Sequence, residues 1–391
     1  MFDSLRGAIA EVADVDLDGR TTAELSEMVE ELQRLRAQLD AADARVVARW
    51  DAERCWQVDG ARSGAAWLAW KTRVPSGQAH QRVHHARAVR ELPAVAEAWT
   101  AGDIDRTHVS TILGCRTPRT EEAFDEGHKT LVDAARTLRF TSFRRVCDTW
   151  KQMADPDGAE QGADDERAAR ELHLDQSYGG MWFGRMTFDR ISGTIVHETL
   201  RIFERELFEA DWAEAKARLG HDPKIYELPR TPAQRRADAL VEMASRARSV
   251  PLGARRPVPL FTVVVGLETF TGRVCELWNG TVVTPGSLVP WLTEADIERI
   301  VFDTPSRVTD VGARRRFFRG GLRRAIEVRD RTCFHETCEE PPERSQIDHV
   351  VEASKDGLTT QDNGRLACGF HNRQRNERPD DQGDEEVLLS A

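Results

Sequence analysis

The sequence predicts an α+β protein in three parts: a mostly helical N-terminal domain, a mixed α+β middle segment and a small zinc-braced C-terminal module. Three observations lead there. From Thr21 to about Met153 apolar residues recur at steps of three and four, the period of amphipathic helices. Beyond that, Gly179–Arg190 (GGMWFGRMTFDR) alternates like a strand, and Val258–Val265 (VPLFTVVV) reads as a buried one. Finally, Cys333, Cys338 and Cys368 crowd toward the C-terminus beside His371, whereas Cys55, Cys115, Cys147 and Cys275 are scattered.

A chain of 391 residues exceeds what one core needs. The expected divisions are a helical domain at 1–155, a mixed part at 156–312, the module at 313–380 and an acidic, disordered tail at 381–391. Hydrophobic content of 40% and charged content of 31% are those of a globular chain. No run of about 18 apolar residues is present, so no membrane span is expected. The opening MFDSLRGAIAEVADVDLDGR has no basic stretch followed by an apolar one, so a cytoplasmic protein is expected.

A net charge of −11 argues against a nucleic-acid partner, but its distribution does not. Acid gathers in Ala159–Asp175 and Glu377–Glu386. Val311–His335 holds Arg314, Arg315, Arg316, Arg319, Arg323, Arg324, Arg329 and Arg331 against only Glu327 and Asp330. Such a patch can neutralise phosphates.

The elements follow in order. Thr21–Asp51 reads as one helix, opened by a Thr21/Glu24 capping box. Leu25, Met28, Leu32, Leu35, Leu39, Ala42 and Val46 form a coiled-coil-like seam along it. The seam can pack within its own domain or join two copies. Ser63–Thr72 and Gln78–Arg90 are two helices joined by Val74-Pro75-Ser76-Gly77, a helical hairpin or helix-turn-helix. The second carries His80, Arg82, His84, His85 and Arg87. Pro93–Ala101 and Asp105–Cys115 are further helices. Glu121–Met153 continues the pattern, with Leu131, Val132, Leu138, Val146 and Trp150 as core. Most of the tryptophans lie in such patterns and read as core rather than base-stacking platforms.

Asp155-Pro156-Asp157-Gly158 reads as a turn, followed by an acidic linker or exposed loop. Ile191–Leu219 returns to helix and stops at Gly220. Thr231-Pro232 starts a helix to about Arg248, proline suiting the first position. Val274–Trp278, Ile300–Phe302 and Ser306–Asp310 add short strands.

The C-terminal constellation carries the chemistry. Cys333 and Cys338 are separated by four residues in CFHETC, and after 29 residues comes Cys368-Gly369-Phe370-His371. Three thiolates and an imidazole suit a tetrahedral Zn²⁺ held by two knuckles. Four protein ligands leave no open position, so that zinc is expected to be structural. His335 lies inside the first knuckle and is expected to face solvent. Between the knuckles stands Ile347-Asp348-His349-Val350-Val351, an acid and a histidine at a strand end, followed by Gly357, Asn363 and Leu366. Asn372 and Asn376 follow the last ligand. Hydrolysis of a phosphodiester needs an activated water, and His349 can take its proton. Asp348 and Asn372 offer oxygen ligands suited to a hard ion such as Mg²⁺.

In order and type, Cys333, Cys338, Asp348, His349, Asn363, Leu366, Cys368, His371 and Asn372 resemble the HNH endonuclease module, whose fold is ββα-metal. The resemblance implies DNA cleavage, with Asn363 tying down the loop that carries His349. Many members have histidine at the positions of Asp348 and Asn372. The version here resembles the HNH domains of RNA-guided nucleases, which favour Mg²⁺. The position of Asn376 is often His or Lys in relatives, so no role is carried over to it. Further upstream, Asp59-Gly60-Ala61-Arg62-Ser63 with Ala65-Ala66-Trp67-Leu68, Asp155-Pro156-Asp157-Gly158-Ala159, Arg230–Leu240 (RTPAQRRADAL) and Arg329-Asp330-Arg331 resemble the 13E12-repeat family, in which a DUF222 domain precedes an HNH module.

The reading that follows is a metal-dependent DNA endonuclease with His349 as general base. Arg314, Arg315, Arg316, Arg319, Arg323 and Arg324 would approach the phosphate backbone, and the helical pair at 63–90 would read sequence. The alternative is a non-catalytic, zinc-braced DNA-binding or regulatory protein.

Overall fold

The computed structural model describes residues 2–249, 260–265, 275–277, 279–291, 296–304, 307–308, 318, 320–352 and 357–377. The chain divides into two compact units, Met1–Ala154 and Asp155–Ala391. Among the described residues no helix is long and apolar enough to cross a membrane.

The first unit is all helical. It contains α1 (Phe2–Ala13), α2 (Thr22–Ala52), α3 (Gly64–Thr72), α4 (Ser76–Glu91), α5 (Pro93–Ala101), α6 (Arg106–Leu113), α7 (Glu121–Thr137) and α8 (Phe140–Ala154). Thr21 opens α2 by accepting from the Glu24 amide while the Glu24 carboxylate accepts from the Thr21 amide, the reciprocal cap that the sequence predicts. Ala37, Ala41, Ala44, Val47 and Ala48 form the buried face of α2, which packs against α4 and α5. Small residues on that face let the helix axes approach closely. The main core gathers Val95, Trp99, Ile104, Val109, Phe124, Leu131 and Phe143. Each large side chain there contributes about 1.5–3 kcal/mol by leaving water. Gly102 closes α5 at φ 82°, where a Cβ would meet Arg34.

The leucine seam of α2 lies elsewhere. Leu25, Leu32, Leu35, Leu39 and Val46 are all exposed, so the helix is not held in its own domain through them. The hairpin helices also differ from the simplest reading. Helix α4 starts at Ser76, two residues before the expected boundary, because Pro75 fits the position before a helix. Two of its cations pair with acids of α2, Arg82 with Asp43 (2.6 Å) and Arg87 with Asp51 (2.9 Å), the Arg87 side chain remaining 57% exposed. His85 is buried, edge-on to Trp99, with Nε2 2.8 Å from the Ser110 hydroxyl. His80, His84, Arg87 and Arg90 remain exposed along α4. The helix expected over 121–153 breaks at Leu138, an exposed residue in extended conformation. The break lets Phe143 and Cys147 of α8 reach the same core as Leu131. Among the tryptophans, Trp99 is core, but Trp70 and Trp182 are exposed.

The second unit begins with α9 (Pro156–Ala168), where a turn and a linker are expected. Asp155 accepts from the Gly158 amide and Pro156 takes the first helical position, so the turn-like tetrapeptide is a helix start. An antiparallel hairpin follows, β1 (Glu171–Gln176) with β2 (Trp182–Thr187). Then come α10 (Arg190–Leu219), capped by Asp189 and ended at Gly220 with φ 75°, and α11 (Pro232–Ser249), packed against α10. Asp211 joins these two helices. It is 1% exposed and accepts from Arg230 at 2.6 Å and from the buried Arg235 at 3.0 Å.

A five-stranded sheet has the order β5 (Val282–Val283), β4 (Cys275–Leu277), β3 (Leu260–Val265), β6 (Asp296–Thr304), β7 (Arg307–Val308). Strands β3 and β6 run parallel. The C-terminal module comprises α12 (Gly320–Asp330), β8 (Ser345–His349), β9 (Gly364–Cys368) and α13 (Gly369–Glu377). Strands β8 and β9 pair antiparallel, with Asp348 opposite Arg365 and His349 opposite Gly364. Leu366, Ile326 and Phe318 form its small core.

Candidate metal centre and its neighbourhood

Two turns bring the four sulfur and nitrogen ligands together. The first knuckle leaves α12 through Arg331, in left-handed conformation at φ 62°, and Cys333 donates its amide to Glu340. The second is the junction of β9 with α13, where Cys368 ends the strand and His371 lies in the first helical turn. The ligand atoms of Cys333, Cys338, Cys368 and His371 all lie within 4.8 Å of one another. Sγ of Cys338 is 3.9 Å from Sγ of Cys368, and His371 Nδ1 is 3.4 Å from Cys333 Sγ and 3.2 Å from Cys368 Sγ. A tetrahedron with bonds of about 2.0–2.3 Å has edges of roughly 3.5–3.8 Å, so the donor set fits zinc in size and in chemistry. This cluster can hold a metal ion such as zinc.

The protein prepares the thiolates. The Cys368 amide donates to Cys333 Sγ at 3.3 Å, and the His371 amide to Cys368 Sγ at 3.4 Å. Without a cation, burial and the neighbouring sulfurs push the Cys338 thiol up to about 11. Burial, and then the adjacent His335, hold the His371 imidazole below its usual range, as a neutral metal ligand requires. His335 stacks flat on His371, with ring centroids 4.0 Å apart. It is half-buried against a ligand rather than turned to solvent as expected.

The residues singled out for hydrolysis surround β8. His349 ends the strand, partly buried, its ring 4.6 Å from that of Phe318 and its Nε2 3.0 Å from the Thr359 hydroxyl. Gly364 is required opposite it, because a Cβ there would run into Phe318 and Ile326 at 2.5–2.6 Å. Asn363 accepts from the Val351 amide (2.7 Å) and donates to the carbonyls of Val351 (3.0 Å) and Leu358 (2.7 Å). Its carboxamide therefore closes the loop that follows His349. Asp348 leaves the other face of β8, with Arg365 Nη2 3.6 Å from its Oδ2. Asn372, on α13, donates through Nδ2 to Gln346 at 2.9 Å, and Gln346 shares the strand face of Asp348. The side-chain oxygen of Asn372 then lies on the opposite side of the carboxamide.

Four residues of this neighbourhood escape sequence reading: Phe318, Gln346, Thr359 and Arg365. Strand alternation carries a signal for Gln346, two residues before Asp348. Arg365 requires the register. Its guanidinium also lies 3.7 Å from the ring of Phe334, which fixes the arginine between the first knuckle and Asp348.

The arginine patch divides. Arg314, Arg315, Arg316 and Arg319 lie outside the described residues. Arg323 pairs with Glu327 at 2.7 Å and reaches the carbonyl of Ser345. Arg324 lies beside it on α12, half-buried. Arg329 donates to the carbonyls of Gln361 and Gly364, both at 2.6 Å, while Asp330 accepts from the Leu366 amide at 2.9 Å. Arg331 pairs with Glu276. The Arg329-Asp330-Arg331 run is thus a clamp that carries β9 and joins the module to the sheet. A groove of about 820 Å³ lies between α10, α11 and the module, lined among others by Glu198, Arg201, Arg235, Glu327, Glu343 and Gln346. Burial, reinforced by Glu343, pushes Glu198 up to about 7.

Comparison with known proteins bears on most of this chain. The uncharacterized protein Rv1148c of Mycobacterium tuberculosis (strain H37Rv) is 25% identical over 407 residues, covering 95% of this chain and 86% of its own length. Uncharacterized protein Mb1179c of Mycobacterium bovis matches to the same extent. No solved structure matches. A profile of the "Domain of unknown function (DUF222)" matches residues 26–330, ending at the last residue of α12 and before the first cysteine of the cluster. The chain therefore belongs to the DUF222 family, and the Cys₃His cluster is built on the segment that follows the family domain.

Proposed function

We propose that the C-terminal module is an HNH-type nuclease and that the protein hydrolyses phosphodiester bonds in DNA. The observation that carries this reading is the arrangement around β8. A histidine ends the strand, an asparagine on the opposing loop ties that end down, and an aspartate and a helix asparagine stand on the other strand face. The Cys₃His cluster supports it by fixing β9 against α13, which positions Asn372 without entering the chemistry.

In this reading His349 takes the proton of the attacking water. Its contact with Phe318 and the Thr359 hydroxyl holds the ring in one orientation. Asp348 and the side-chain oxygen of Asn372 would hold a Mg²⁺-type ion, which when bound stabilises charge on the phosphorane and on the leaving 3′ oxygen. Asn363 acts through His349 by fixing its loop. Arg365, beside Asp348, holds that carboxylate in place. Arginines 314–324 would approach the phosphate backbone, with Arg323 also holding Ser345.

A second reading, a non-catalytic zinc-braced DNA-binding or regulatory module, draws on the Asp348–Arg365 pair, which gives the aspartate a partner without a metal ion. Supercoiled plasmid in Mg²⁺ separates the two. The nuclease reading expects nicking that stops on removal of Mg²⁺ and falls at least tenfold in Asp348→Ala and in Asn372→Ala. Nicking unchanged in both variants would remove the proposed ion site.

A further inference from the structure

Helix α2 carries two apolar faces on opposite sides, and only one is used. Counting Leu25 as the first core position of a heptad, Leu25, Leu32, Leu39 and Val46 fall at a, and Met28, Leu35 and Ala42 at d. The residues buried against α4 and α5, Ala37, Ala41, Ala44, Val47 and Ala48, fall at b, c and f, across the helix. The a/d leucines Leu25, Leu32, Leu35 and Leu39 are 37–49% exposed along two heptads, with Met28 half-buried between the first two. Most singly exposed leucines need no explanation, but a regular 3–4 seam opposite a packed face does. A monomeric helix packed by one face has no use for a second stripe at coiled-coil spacing.

We propose that α2 is the dimerisation element of this protein, and that its partner is the α2 of a second copy, aligned parallel and in register. The flanking charges select that partner and that direction. In a parallel pair Glu31 at g faces Arg36 at e of the second copy, an attraction made twice by symmetry. Glu24, Gln38 and Arg45 at g face Val29, Asp43 and Trp50, so no like charges oppose. The antiparallel alternative would rely on Glu24 meeting Arg45, but Glu24 is held by the Thr21 amide and hydroxyl, whereas Glu31 has an exposed 3.5 Å contact to Arg34 of its own helix. Over Leu25–Leu39 the bundle lies on the b/c/f side and leaves the coil clear, whereas beyond it Asp43 and Trp50 at e turn to Arg82 and Trp67 of the bundle. The inference is independent of the nuclease reading, and its test uses no activity measurement.

The test is the mass of the full chain in solution by sedimentation equilibrium across the micromolar range. The expected result is twice the 44.1 kDa chain mass, falling to one chain mass in Leu32→Glu/Leu35→Glu. Both positions are exposed in the single chain, so helicity and melting of that variant report whether the bundle survives. Mild oxidation of Leu32→Cys should give a covalent dimer, and Glu30→Cys, at the outer f position, should not. A wild-type monomer overturns the proposal, whether the seam then lies in water or under α1, whose Phe2, Leu5, Ile9 and Val12 are exposed as well. A dimer that persists in Leu32→Glu/Leu35→Glu also overturns it. A Leu32→Cys chain that fails to cross-link while dimeric overturns the parallel register.

Discussion

Asn363 holds both backbone polar groups of Val351: its side-chain oxygen accepts from the Val351 amide at 2.7 Å, and its nitrogen donates to the Val351 carbonyl at 3.0 Å. With the further bond to Leu358, the carboxamide substitutes for a strand partner just past His349. Asn363→Asp removes the donor end and sets a carboxylate against two carbonyls. Asn363→Ala removes both. Each is expected to leave zinc content unchanged and lower plasmid nicking by about 10- to 100-fold, the range in which misplacement of a catalytic group acts. Unchanged nicking with Asn363→Ala would mean that the loop is held by other means.

The metal cluster predicts a folding dependence confined to the module. Cys333 and Cys368 are buried, and Leu366 beside them is fully so. The core of Phe318, Ile326 and Leu366 is too small to hold alone. Metal analysis is expected to find one zinc per chain. Cys333→Ser with Cys338→Ser should lose it together with protection of β9 from hydrogen exchange, while α3–α8 stay protected. Retention of both zinc and β9 protection would show that the ligands are misassigned.

His85 predicts a pH dependence in the helical unit. Burial holds its imidazole down at about 4, whereas an unfolded chain titrates near ~6.5. Between these values the unfolded chain binds more protons, so stability is full above about 6.5 and declines as pH falls toward 4. The expected loss is on the order of 2 kcal/mol. His85→Gln keeps a hydrogen-bonding group near Ser110 and cannot titrate. Its melting temperature is expected to vary less than wild type between pH 7 and pH 4. A wild-type profile flat over that interval would contradict the neutral, buried assignment.

Asp211 predicts a large loss of stability in the second unit. It is the shared anion of Arg230 and Arg235, and Arg235 also lies over the Phe208 ring. Asp211→Ala leaves a buried guanidinium without its acid, which costs roughly 3–5 kcal/mol. Thermal unfolding should show that loss, and Asp211→Asn should recover only part of it. A near-neutral Asp211→Ala would mean that Arg235 finds water.

Much of the helical unit was legible because amphipathic spacing and caps are local signals: Thr21/Glu24, Pro93 and Asp105 each begin a helix where the sequence places one. Failures came where a local signal has two readings. Asp155-Pro156 is equally the start of a turn and of a helix, and contacts such as Glu160 with Thr284 decide for α9. Glu171–Gln176 (ELHLDQ) alternates weakly, and only its pairing with Trp182–Thr187 makes it a strand. The Cys₃His cluster was legible because thiol and imidazole types at knuckle spacing are rare. The use of Arg329 was not, since nothing in a basic run distinguishes a phosphate contact from a clamp on two backbone carbonyls.

The central claim is that His349 is the general base of a nuclease. It is tested most directly by incubating zinc-loaded full-length protein with supercoiled plasmid and Mg²⁺, wild type beside His349→Ala. Removal of a general base is expected to slow nicking by about 10²–10⁴-fold while zinc content and melting temperature stay unchanged. Equal nicking by the two proteins, or none by either on any DNA or RNA substrate, would contradict it.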